Sequence, residues 1–499
     1  MNVIVVGAGI TGLCTGLALA KSGHQVTIVE RDAPPPDGGP EEAFFGWNRR
    51  GAAQFRHPHA FLAVMSNLLE QSFPDLIEDF FAAGARKVTF ESMLPAELKA
   101  NYKPDPEDEK LWILMCRRAT METVFRRYAE RAPGVDIRSG VNVTGLITDN
   151  TDKLPVVQGI SILERGSEPE DITADIVVDA GGRNSKVREW LRDLGANIES
   201  EDDDAEIVYY TRHYNLRPGV EEPERDPTEP STGDLGFIKF GVFPGDNGHF
   251  AVIVCIHREE TELLEAIRDS DTYDEICRAI PGLNRWMAED KAEATTGSFG
   301  FSDIHAVWHH YVTGEQPVAL NYFAVGDAAV RTNPLYGRGC STGIIHAHVL
   351  SEVLEENESP MDRALVFDRR TEEELRPIFK ASLADDKRAI SRARAIMSGD
   401  TPEKPTGMRA RLRSMFGNAM REATRKDIHV MRGAMRTFNL MEKPGEFMKD
   451  WRVIARTLRF MGRGQSSSRV TGPSRDEILT LITSSTPQDV TPESRTAHG

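Results

Sequence analysis

The fold is decided by the stretch Val3-Ile4-Val5-Val6-Gly7-Ala8-Gly9-Ile10-Thr11-Gly12 at the start of the chain. Its four β-branched residues predict a strand that is covered on both faces. Gly7 permits the tight turn out of that strand, and Gly9 lets the backbone approach a pyrophosphate. Gly12 lets the following helix pack against the strand. The stretch therefore predicts the first strand, turn and helix of a dinucleotide-binding fold.

The residues around this turn complete a predicted site for phosphate and ribose. The helix that begins near Thr11 offers free N–H groups and the positive end of its dipole to phosphates. Glu30 ends the next predicted strand, about 20 residues after the glycines, where a carboxylate accepts hydrogen bonds from a ribose diol. These residues, with the neighbouring Arg31, are predicted to bind the cofactor.

Composition and charge exclude several classes of protein. A chain of 499 residues with 27% charged and 40% hydrophobic residues is typical of a globular protein of two or three domains. The net charge of −17 argues against a general nucleic-acid binder, because phosphate would be repelled. The five cysteines lack metal-ligand spacing, which predicts a reducing compartment and no metal site. With neither a basic leader nor an apolar run of about 18 residues, we expect a cytoplasmic protein.

A second motif separates a flavin from a nicotinamide dinucleotide. Phe323-Ala324-Val325-Gly326-Asp327 is a short apolar strand that delivers an aspartate to a sharp turn. Asn333-Pro334-Leu335-Tyr336-Gly337-Arg338-Gly339 follows, and then a helix that starts beside Cys340. An aspartate in such a turn can bind a polyol hydroxyl, and the start of the helix can face an electron-rich ring edge.

With both motifs in this order, the sequence resembles the para-hydroxybenzoate hydroxylase-like flavoprotein superfamily. That superfamily contains aromatic hydroxylases, squalene epoxidases, geranylgeranyl reductases and flavin-dependent halogenases. The resemblance implies that FAD is the cofactor and that Asp327 contacts its ribityl chain. It also implies that a loop lies beside the isoalloxazine ring, with the positions Pro334, Tyr336, Gly337, Gly339 and Cys340.

Three further segments are similar to the pattern of this superfamily. Arg118-Ala119-Thr120-Met121-Glu122 is similar to its Arg-x-x-Leu-Glu helix start, whose arginine lies near the flavin and pyrophosphate. Val143 occupies the place of a backbone contact with adenine. Residues 47–59 are similar to a segment that passes the flavin, so three of them are expected near flavin or substrate: Arg49, Gln54 and His59. The alternative for each position is an ordinary surface charge, core residue or polar loop group.

The stretch Asp179-Ala180-Gly181-Gly182-Arg183-Asn184-Ser185-Lys186-Val187-Arg188 resembles the superfamily's second turn but departs from it. Gly181 stands where the aromatic hydroxylases usually carry an aspartate, in a motif linked to NADPH as well as FAD. The departure leaves two reductants open, namely direct hydride transfer from NAD(P)H and a partner reductase that supplies reduced flavin. The form is similar to halogenase- and epoxidase-like relatives, although the Trp-x-Trp-x-Ile-Pro motif of tryptophan halogenases is missing.

The resemblance implies an FAD-dependent monooxygenase that inserts one oxygen atom from O2, by hydroxylation or epoxidation, through a flavin C4a-hydroperoxide. A small apolar or aromatic substrate is expected, although the phenylalanines that suggest it could equally be core: Phe237, Phe240, Phe243 and Phe250. The alternatives are a reductase or dehydrogenase of the geranylgeranyl-reductase kind and a flavin-dependent halogenase. Outside enzymes, a regulatory flavoprotein without turnover is disfavoured by the intact glycine loops and Asp327.

The expected fold class is α/β, with a Rossmann-type FAD-binding domain, an inserted sheet-based substrate domain and a C-terminal helical region. The FAD-binding domain is assigned to residues 1–70, 100–195 and 300–395, and the substrate domain to 71–99 and 196–299. The helical region is assigned to 400–463, with a linker at 401–406, and a mostly flexible tail to 464–499. Residues 62–88 are expected to be mostly helical.

Two other features have alternative explanations. His309-His310 and His346-x-His348 have the wrong spacing for metal ligands on one helix face, which favours structural histidines. Residues 409–463 interleave arginines with apolar residues, which is compatible with a helix pair at a membrane surface. We favour the other interpretation, in which these arginines are solvated or pair with the acidic body.

Overall fold

A computed structural model describes residues 1–151, 154–226, 228–399, 407–461 and 472–485. Its centre is a parallel sheet of five strands, in the spatial order Tyr322–Ala324, Ile176–Asp179, Asn2–Val6, Gln25–Glu30 and Val135–Ser139. The expected α/β class is therefore confirmed. The predicted linker at 401–406 and most of the predicted tail lie outside the described residues.

Helices cover one face of this sheet. Val3 and Val5 share a buried core with Leu13 and Leu17 of the first helix. Each fully buried side chain of this size stabilises the fold by about 1.5–3 kcal/mol. The helices that contribute to this core are Ile10–Lys21, Ala63–Ser72, Pro74–Ala82, Arg118–Arg131, Gly339–Glu356 and, through Phe367, Pro360–Met397.

The opposite face of the parallel sheet is buried as well. Ile4 and Val177 lie in a second core, beneath an antiparallel sheet formed by Val141–Asp149, Val156–Glu164 and Glu170–Thr173. The long helix Pro360–Met397 contributes Leu375, Ile378 and Phe379 to the same core. The strand Asn2–Val6 is therefore covered on both faces, as its β-branched run predicts.

A second large sheet is antiparallel. Its strands follow the order Thr232–Asp234, Ile238–Pro244, His249–His257, Ile207–Leu216 and Ala292–Ala294, with Phe299–Phe301 also paired to Ile207–Leu216. Its core contains residues of the helices Thr261–Ala266, Ser270–Arg278 and Pro281–Met287. A separate apolar cluster, which includes Tyr209 and Cys255 of the same sheet, faces a large cavity.

The remaining described elements are short. There are three small sheets among these elements. One consists of His59–Phe61, Trp112–Cys116 and Arg86–Thr89, and another of Ser200–Asp204, His305–His309 and Val330–Arg331. The third pairs Val312–Thr313 with Gln316–Pro317. Short α-helices cover Pro40–Gly46, Phe90–Met93, Ala96–Lys99 and Val187–Asp193. Turns of 3-10 helix cover Pro106–Lys110, Gly182–Asn184, Gly326–Ala328, Pro334–Tyr336 and Glu446–Lys449.

The expectation of a mostly helical segment at 62–88 is wrong for its last residues. The second helix of this segment ends at Ala82, and Gly84 has a φ of +93°, a conformation that ends helices. Arg86–Thr89 then pairs as an antiparallel strand with Trp112–Cys116. The backbone groups released at the end of the helix thus find partners in a strand that is distant in sequence.

The C-terminal region consists of the helices Met408–Lys426, Ile428–Phe438 and Trp451–Leu458, which confirms the predicted helical content. Arg432 joins this region to the body through an ion pair of 2.7 Å with Asp108. A last helix, Arg475–Ser485, contributes Ile478 to the core of the second sheet. None of the described helices combines the length and apolar character that crossing a bilayer requires.

We predict that Gly12→Ala destabilises the protein by about 2 kcal/mol or more. A Cβ at Gly12 would lie 1.9 Å from the carbonyl oxygen of Gly7, and backbone cannot move aside as a flexible side chain does. Gly9→Ala is the matched control, because nothing lies within 4 Å of its Cβ position. Its cost should stay below about 1 kcal/mol. Thermal and denaturant unfolding of the cofactor-free proteins measure both, and equal stabilities would contradict the prediction.

Candidate functional site

A cavity of about 2010 Å³ lies between the carboxyl ends of the parallel strands and the second sheet. Ligands of open α/β sheets bind at that end of the strands. Among the residues that the sequence predicts for the site, Gly12 does not line the cavity and lies beneath Gly7. The others line it: Gly7, Gly9, Thr11, Glu30, Arg31, Arg49, Gln54, His59, Arg118, Val143, Asp327, Pro334, Tyr336, Gly337, Gly339 and Cys340.

The two predicted motifs meet at Thr11. A Cβ on Gly326 would lie 2.8 Å from the Thr11 side chain, and one on Gly343 would lie 2.3 Å from the Thr11 Oγ1. Glycine at both positions therefore lets the Asp327 turn and the next helix approach the first glycine turn. Gly343 was not among the predicted site residues, because a single glycine inside a helix gives no sign of what packs against it.

His346 supports the same contact from inside the protein. Its Nδ1 accepts a hydrogen bond of 3.2 Å from the Gly326 amide, and its Nε2 lies 3.0 Å from the Thr371 hydroxyl. Burial lowers the pKa of His346 to about 3, so the ring is neutral at physiological pH and can accept this bond. His346 therefore has a structural role in positioning the turn.

Asp327 is half-buried at the cavity, and its carboxylate forms no hydrogen bond or ion pair with the described part of the chain. Burial raises its pKa above the ordinary value, although Arg331, Arg118 and Arg183 act in the opposite direction. A buried carboxylate without a partner is costly unless a ligand supplies donors. The side chain therefore fits the hydroxyl groups of a polyol such as the ribityl chain of FAD.

Glu30 keeps acceptor capacity for a ribose. Its two oxygens accept hydrogen bonds of 2.9 Å from the amides of Ala8 and Asp32, and one oxygen lies 3.2 Å from the Arg49 Nη1. A carboxylate offers about four acceptor sites, so one stays available at the cavity. The first amides of the helix Ile10–Lys21 have no intrahelical acceptor and are the matching donors for a pyrophosphate.

Arg49 is the centre of a buried charge network beneath these groups. Its Nε lies 2.7 Å from Glu122, and its Nη1 lies 3.1 Å from Asp32. Arg118 binds the other oxygen of Glu122 at 2.6 Å, and its Nη1 lies 3.4 Å from the Cys340 sulfur. Burial would raise the pKa of Glu122, but Arg49 and Arg118 outweigh it and lower that pKa. The motif at 118–122 predicted Arg118 for the site. Only the tertiary structure shows that Glu122 binds both Arg49 and Arg118.

An apolar wall faces the cofactor side across the cavity. Six of its residues form one cluster that includes parts of the second sheet and of the loop at 333–339: Tyr209, Ile253, Cys255, Phe301, Ile304 and Leu335. His57 joins the segment at 47–59 to the second sheet, because its Nδ1 lies 2.8 Å from the hydroxyl of Thr211 in the strand Ile207–Leu216. Burial, with a smaller contribution from the nearby His213, lowers the pKa of His57 to about 3.

The four phenylalanines that suggested an apolar substrate divide into two groups. Phe240 and Phe243 line the cavity. Phe237 and Phe250 do not line it and lie in the core of the second sheet, where Phe250 stacks on Tyr214 with ring centroids 5.3 Å apart. Of the two alternatives left open for these residues, core packing therefore holds for Phe237 and Phe250.

Two polar groups at the apolar wall escaped the sequence analysis. Lys239 is half-buried, lines the cavity and has no ion-pair partner within 4.0 Å among the residues described. The Tyr209 hydroxyl forms no hydrogen bond with those residues, and burial raises the pKa of Tyr209 well above its usual value. Both groups can donate a hydrogen bond to a ligand in the cavity. Neither belongs to a motif, so no sequence signal marked them.

The loop at 333–339 is held from behind. The Asp386 carboxylate accepts hydrogen bonds of 2.8 Å from the Asn333 side chain and 3.0 Å from the Tyr336 hydroxyl. Tyr336 therefore lines the cavity with its hydroxyl tied to the protein. Arg31 is exposed at the rim, where it donates a hydrogen bond of 3.0 Å to the Arg50 carbonyl.

Comparison with known proteins matches this geometry to a family. The model of the FAD dependent oxidoreductase family covers residues 2–354 of the chain. The chain belongs to this family of FAD-dependent oxidoreductases. Among curated proteins, Protein Rv3254 of Mycobacterium tuberculosis is 25% identical over 403 residues, which cover 77% of this chain and 80% of the relative.

Solved flavoenzymes share the fold of this FAD-dependent oxidoreductase. The p-nitrophenol 4-monooxygenase PnpA from Pseudomonas putida DLL-E4 has a TM-score of 0.56 and 17% identity, with 89% of this chain and 98% of that chain covered. The flavin-dependent brominase Bmp2 has a TM-score of 0.54 and 15% identity, with 91% and 100% covered. The resemblance to the para-hydroxybenzoate hydroxylase-like flavoproteins is confirmed at the level of the fold.

We predict that Asp327→Asn stabilises the cofactor-free protein at neutral pH and weakens FAD binding about tenfold or more. A raised pKa means that folding disfavours the charged carboxylate, so removing the charge removes that cost. Asp386→Ala is the matched comparison, because burial raises the pKa of this carboxyl too, but it accepts two hydrogen bonds. It should lose about 1–3 kcal/mol of stability. Unfolding curves and FAD titration separate the two, and a destabilised Asp327→Asn would contradict the assignment.

We predict that stability falls as the pH drops from 6.5 towards 4, partly because of His57. The unfolded histidine binds a proton in this range, whereas the folded one, with a pKa of about 3, does not. His57→Gln should therefore reduce the slope of the unfolding free energy against pH by up to about 1.4 kcal/mol per pH unit. Denaturant titrations at a series of pH values measure this slope, and an unchanged slope would show that the folded His57 is protonated normally.

Proposed function

We propose that this oxidoreductase is an FAD-dependent monooxygenase that inserts one oxygen atom from O2 into a small apolar or aromatic molecule. The observation that supports the proposal most is one cavity that joins the cofactor-side residues to the apolar wall. Small-molecule sites usually measure about 300–1,000 Å³. A volume of about 2010 Å³ leaves room for a dinucleotide and a substrate together.

FAD would be held by groups that face the cavity. The amides at the start of the helix Ile10–Lys21 would bind the pyrophosphate, Glu30 a ribose and Asp327 the ribityl chain. The backbone at Val143 would contact the adenine, and the loop at 334–340 would lie along the ring. Bound FAD would supply the activation of O2 that side chains cannot supply.

The apolar wall would exclude water and orient the substrate. Tyr209, Phe301 and Leu335 give it a surface that an aromatic or aliphatic compound can cover. The Tyr209 hydroxyl and the Lys239 ammonium would each donate a hydrogen bond to a polar atom of that compound. A mostly apolar pocket with a few polar groups selects both for shape and for the position of polar atoms.

The source of electrons is NAD(P)H or a partner that supplies reduced flavin. The turn at 179–185 closely surrounds the glycine that departs from the aromatic-hydroxylase pattern. A Cβ at Gly181 would lie 3.0 Å from the Asp179 carboxylate and 3.2 Å from the Ser185 Cβ, so a larger residue at this position would need these two side chains to move slightly. Anaerobic titration of the holo-protein with NADPH, NADH and reduced FMN shows which donor bleaches the flavin spectrum.

We predict that isotopically labelled O2 leaves one labelled oxygen in the product. The holo-protein is reduced without air, mixed with labelled O2 and a panel of apolar and aromatic compounds, and the products are analysed by mass spectrometry. Tyr209→Phe and Lys239→Met should each lower kcat/KM about tenfold, since each loses a hydrogen bond to substrate. Lys291→Met, outside the cavity lining, is the control.

Two results would overturn this proposal. A dehydrogenated or hydrogenated product without label would identify a dehydrogenase or reductase. A brominated or chlorinated product that appears only when halide is added would identify a halogenase.

A further inference from the structure

Exposed apolar side chains are concentrated at the C-terminal end of the described chain. Among the residues that the structure describes, thirteen large hydrophobic ones are exposed, and the five that precede residue 408 are spread through the sequence. Scattered exposed residues need no explanation, whereas a concentration of them marks an interaction surface. The other eight define what we call the C-terminal surface: Met408, Leu412, Met415, Phe438, Met448, Trp451, Ile454 and Leu458.

Two helices present these residues as stripes. Met408, Leu412 and Met415 follow one face of the helix Met408–Lys426, at spacings of four and three. The same face continues to Ala419 and Ala423, which are buried. The second half of this helix therefore buries its apolar face in a small core. The first two turns leave the same face exposed.

The helix Trp451–Leu458 repeats this pattern. Trp451, Ile454 and Leu458 share one exposed face, and Val453 and Thr457 are buried on the other. Trp451 is 70% exposed and Met408 is 80% exposed, so their side chains are almost fully open to solvent. Both helices thus leave an apolar stripe uncovered.

The charge of this region is opposite to that of the rest of the protein. Residues 408–461 contain thirteen lysines and arginines against five acidic residues, in a chain whose net charge is −17. Some of these cations pair within the protein, such as Arg432 with Asp108 and Arg456 with Asp427, as the favoured sequence interpretation expects. Five exposed arginines form no ion pair with any described residue: Arg409, Arg413, Arg421, Arg452 and Arg459.

We propose that the C-terminal surface docks on a lipid bilayer that carries anionic headgroups. Short amphipathic helices with arginines beside an apolar stripe, and an exposed tryptophan at one end, have the properties of helices that lie in the membrane interface. The arginines complement the anionic headgroups, and the apolar stripes enter the boundary between headgroups and acyl chains. Such docking needs no helix that crosses the membrane.

The C-terminal surface lies beside the opening of the cavity. Phe438 belongs to both, and Glu422, Arg425 and Lys426 from the helix Met408–Lys426 also line the cavity. Docking would therefore bring the opening next to lipid, where apolar compounds concentrate. This consequence rests on the proposed function, whereas docking itself does not.

Vesicle flotation with the full-length holo-protein tests the proposal. We expect binding to vesicles of phosphatidylcholine with phosphatidylglycerol, weaker binding to phosphatidylcholine alone, and loss of the difference at high salt. Arg409→Gln with Arg413→Gln should lower the partition coefficient roughly 25-fold, at about fivefold for each arginine. Trp451→Ser with Leu458→Ser should lower it by about tenfold or more.

Matched variants outside this surface are the controls. Arg165→Gln and Leu163→Ser replace exposed residues at the end of the strand Val156–Glu164 and in the turn after it, and both variants should bind like the unmodified protein. Unfolding midpoints, flavin content and O2 chemistry without lipid, measured on every variant, distinguish failure of docking from failure of the fold or of the proposed function.

Three results would overturn the docking proposal. The protein could fail to bind either kind of vesicle, or the two double variants could bind as well as the unmodified protein. The third is a dimer in light scattering that the double variants dissociate, without vesicle binding, which would make a second copy of this chain the occupant.

Discussion

The buried interaction of Arg49 with three carboxylates holds the cofactor side of the cavity together. Its guanidinium contacts Glu30 from the second strand, Asp32 just beyond it and Glu122 from the helix Arg118–Arg131. It also donates a hydrogen bond of 3.2 Å to the Ala8 carbonyl inside the first glycine turn. Removing one partner of such a buried group typically costs about 3–5 kcal/mol, because the others are left without compensation. Glu30, the first glycine turn and the helix that carries Arg118 are thus placed by one side chain.

Around this network, the site combines close packing with groups that lack protein partners. Glycines at 326 and 343 let the Asp327 turn and the helix Gly339–Glu356 touch Thr11, while His346 fixes the Asp327 turn from behind. Asp327, Tyr209 and Lys239 face the cavity without hydrogen bonds or ion pairs within the described structure. Unsatisfied polar groups at a rigid cavity are typical of ligand sites, where binding supplies the missing partners. The protein thereby gives up some stability at the positions that would contact cofactor and substrate.

The body of the protein and its C-terminal helices carry opposite net charges. The acidic body carries the cavity, and the basic helices lie at its opening. The sequence showed arginines among apolar residues but not which of them would be buried. Ala419, Ala423 and Val453 are buried, whereas Met408, Leu412 and Trp451 are exposed. The difference follows from how far each helix extends beyond the small core that the helices share.

The sequence by itself determined the α/β class, the parallel core, the glycine turn with Glu30 and the Asp327 turn, because each depends on local backbone geometry and short spacing. It mistook the strand Arg86–Thr89 for helix and left the four phenylalanines undivided, since the partners that decide both are far away in the chain. Only the tertiary structure decided that Glu122 bridges two arginines, that Gly343 and His346 support the Asp327 turn, and that Tyr209 and Lys239 reach the cavity. Such contacts join residues separated by many positions, and spacing along the chain carries no information about them.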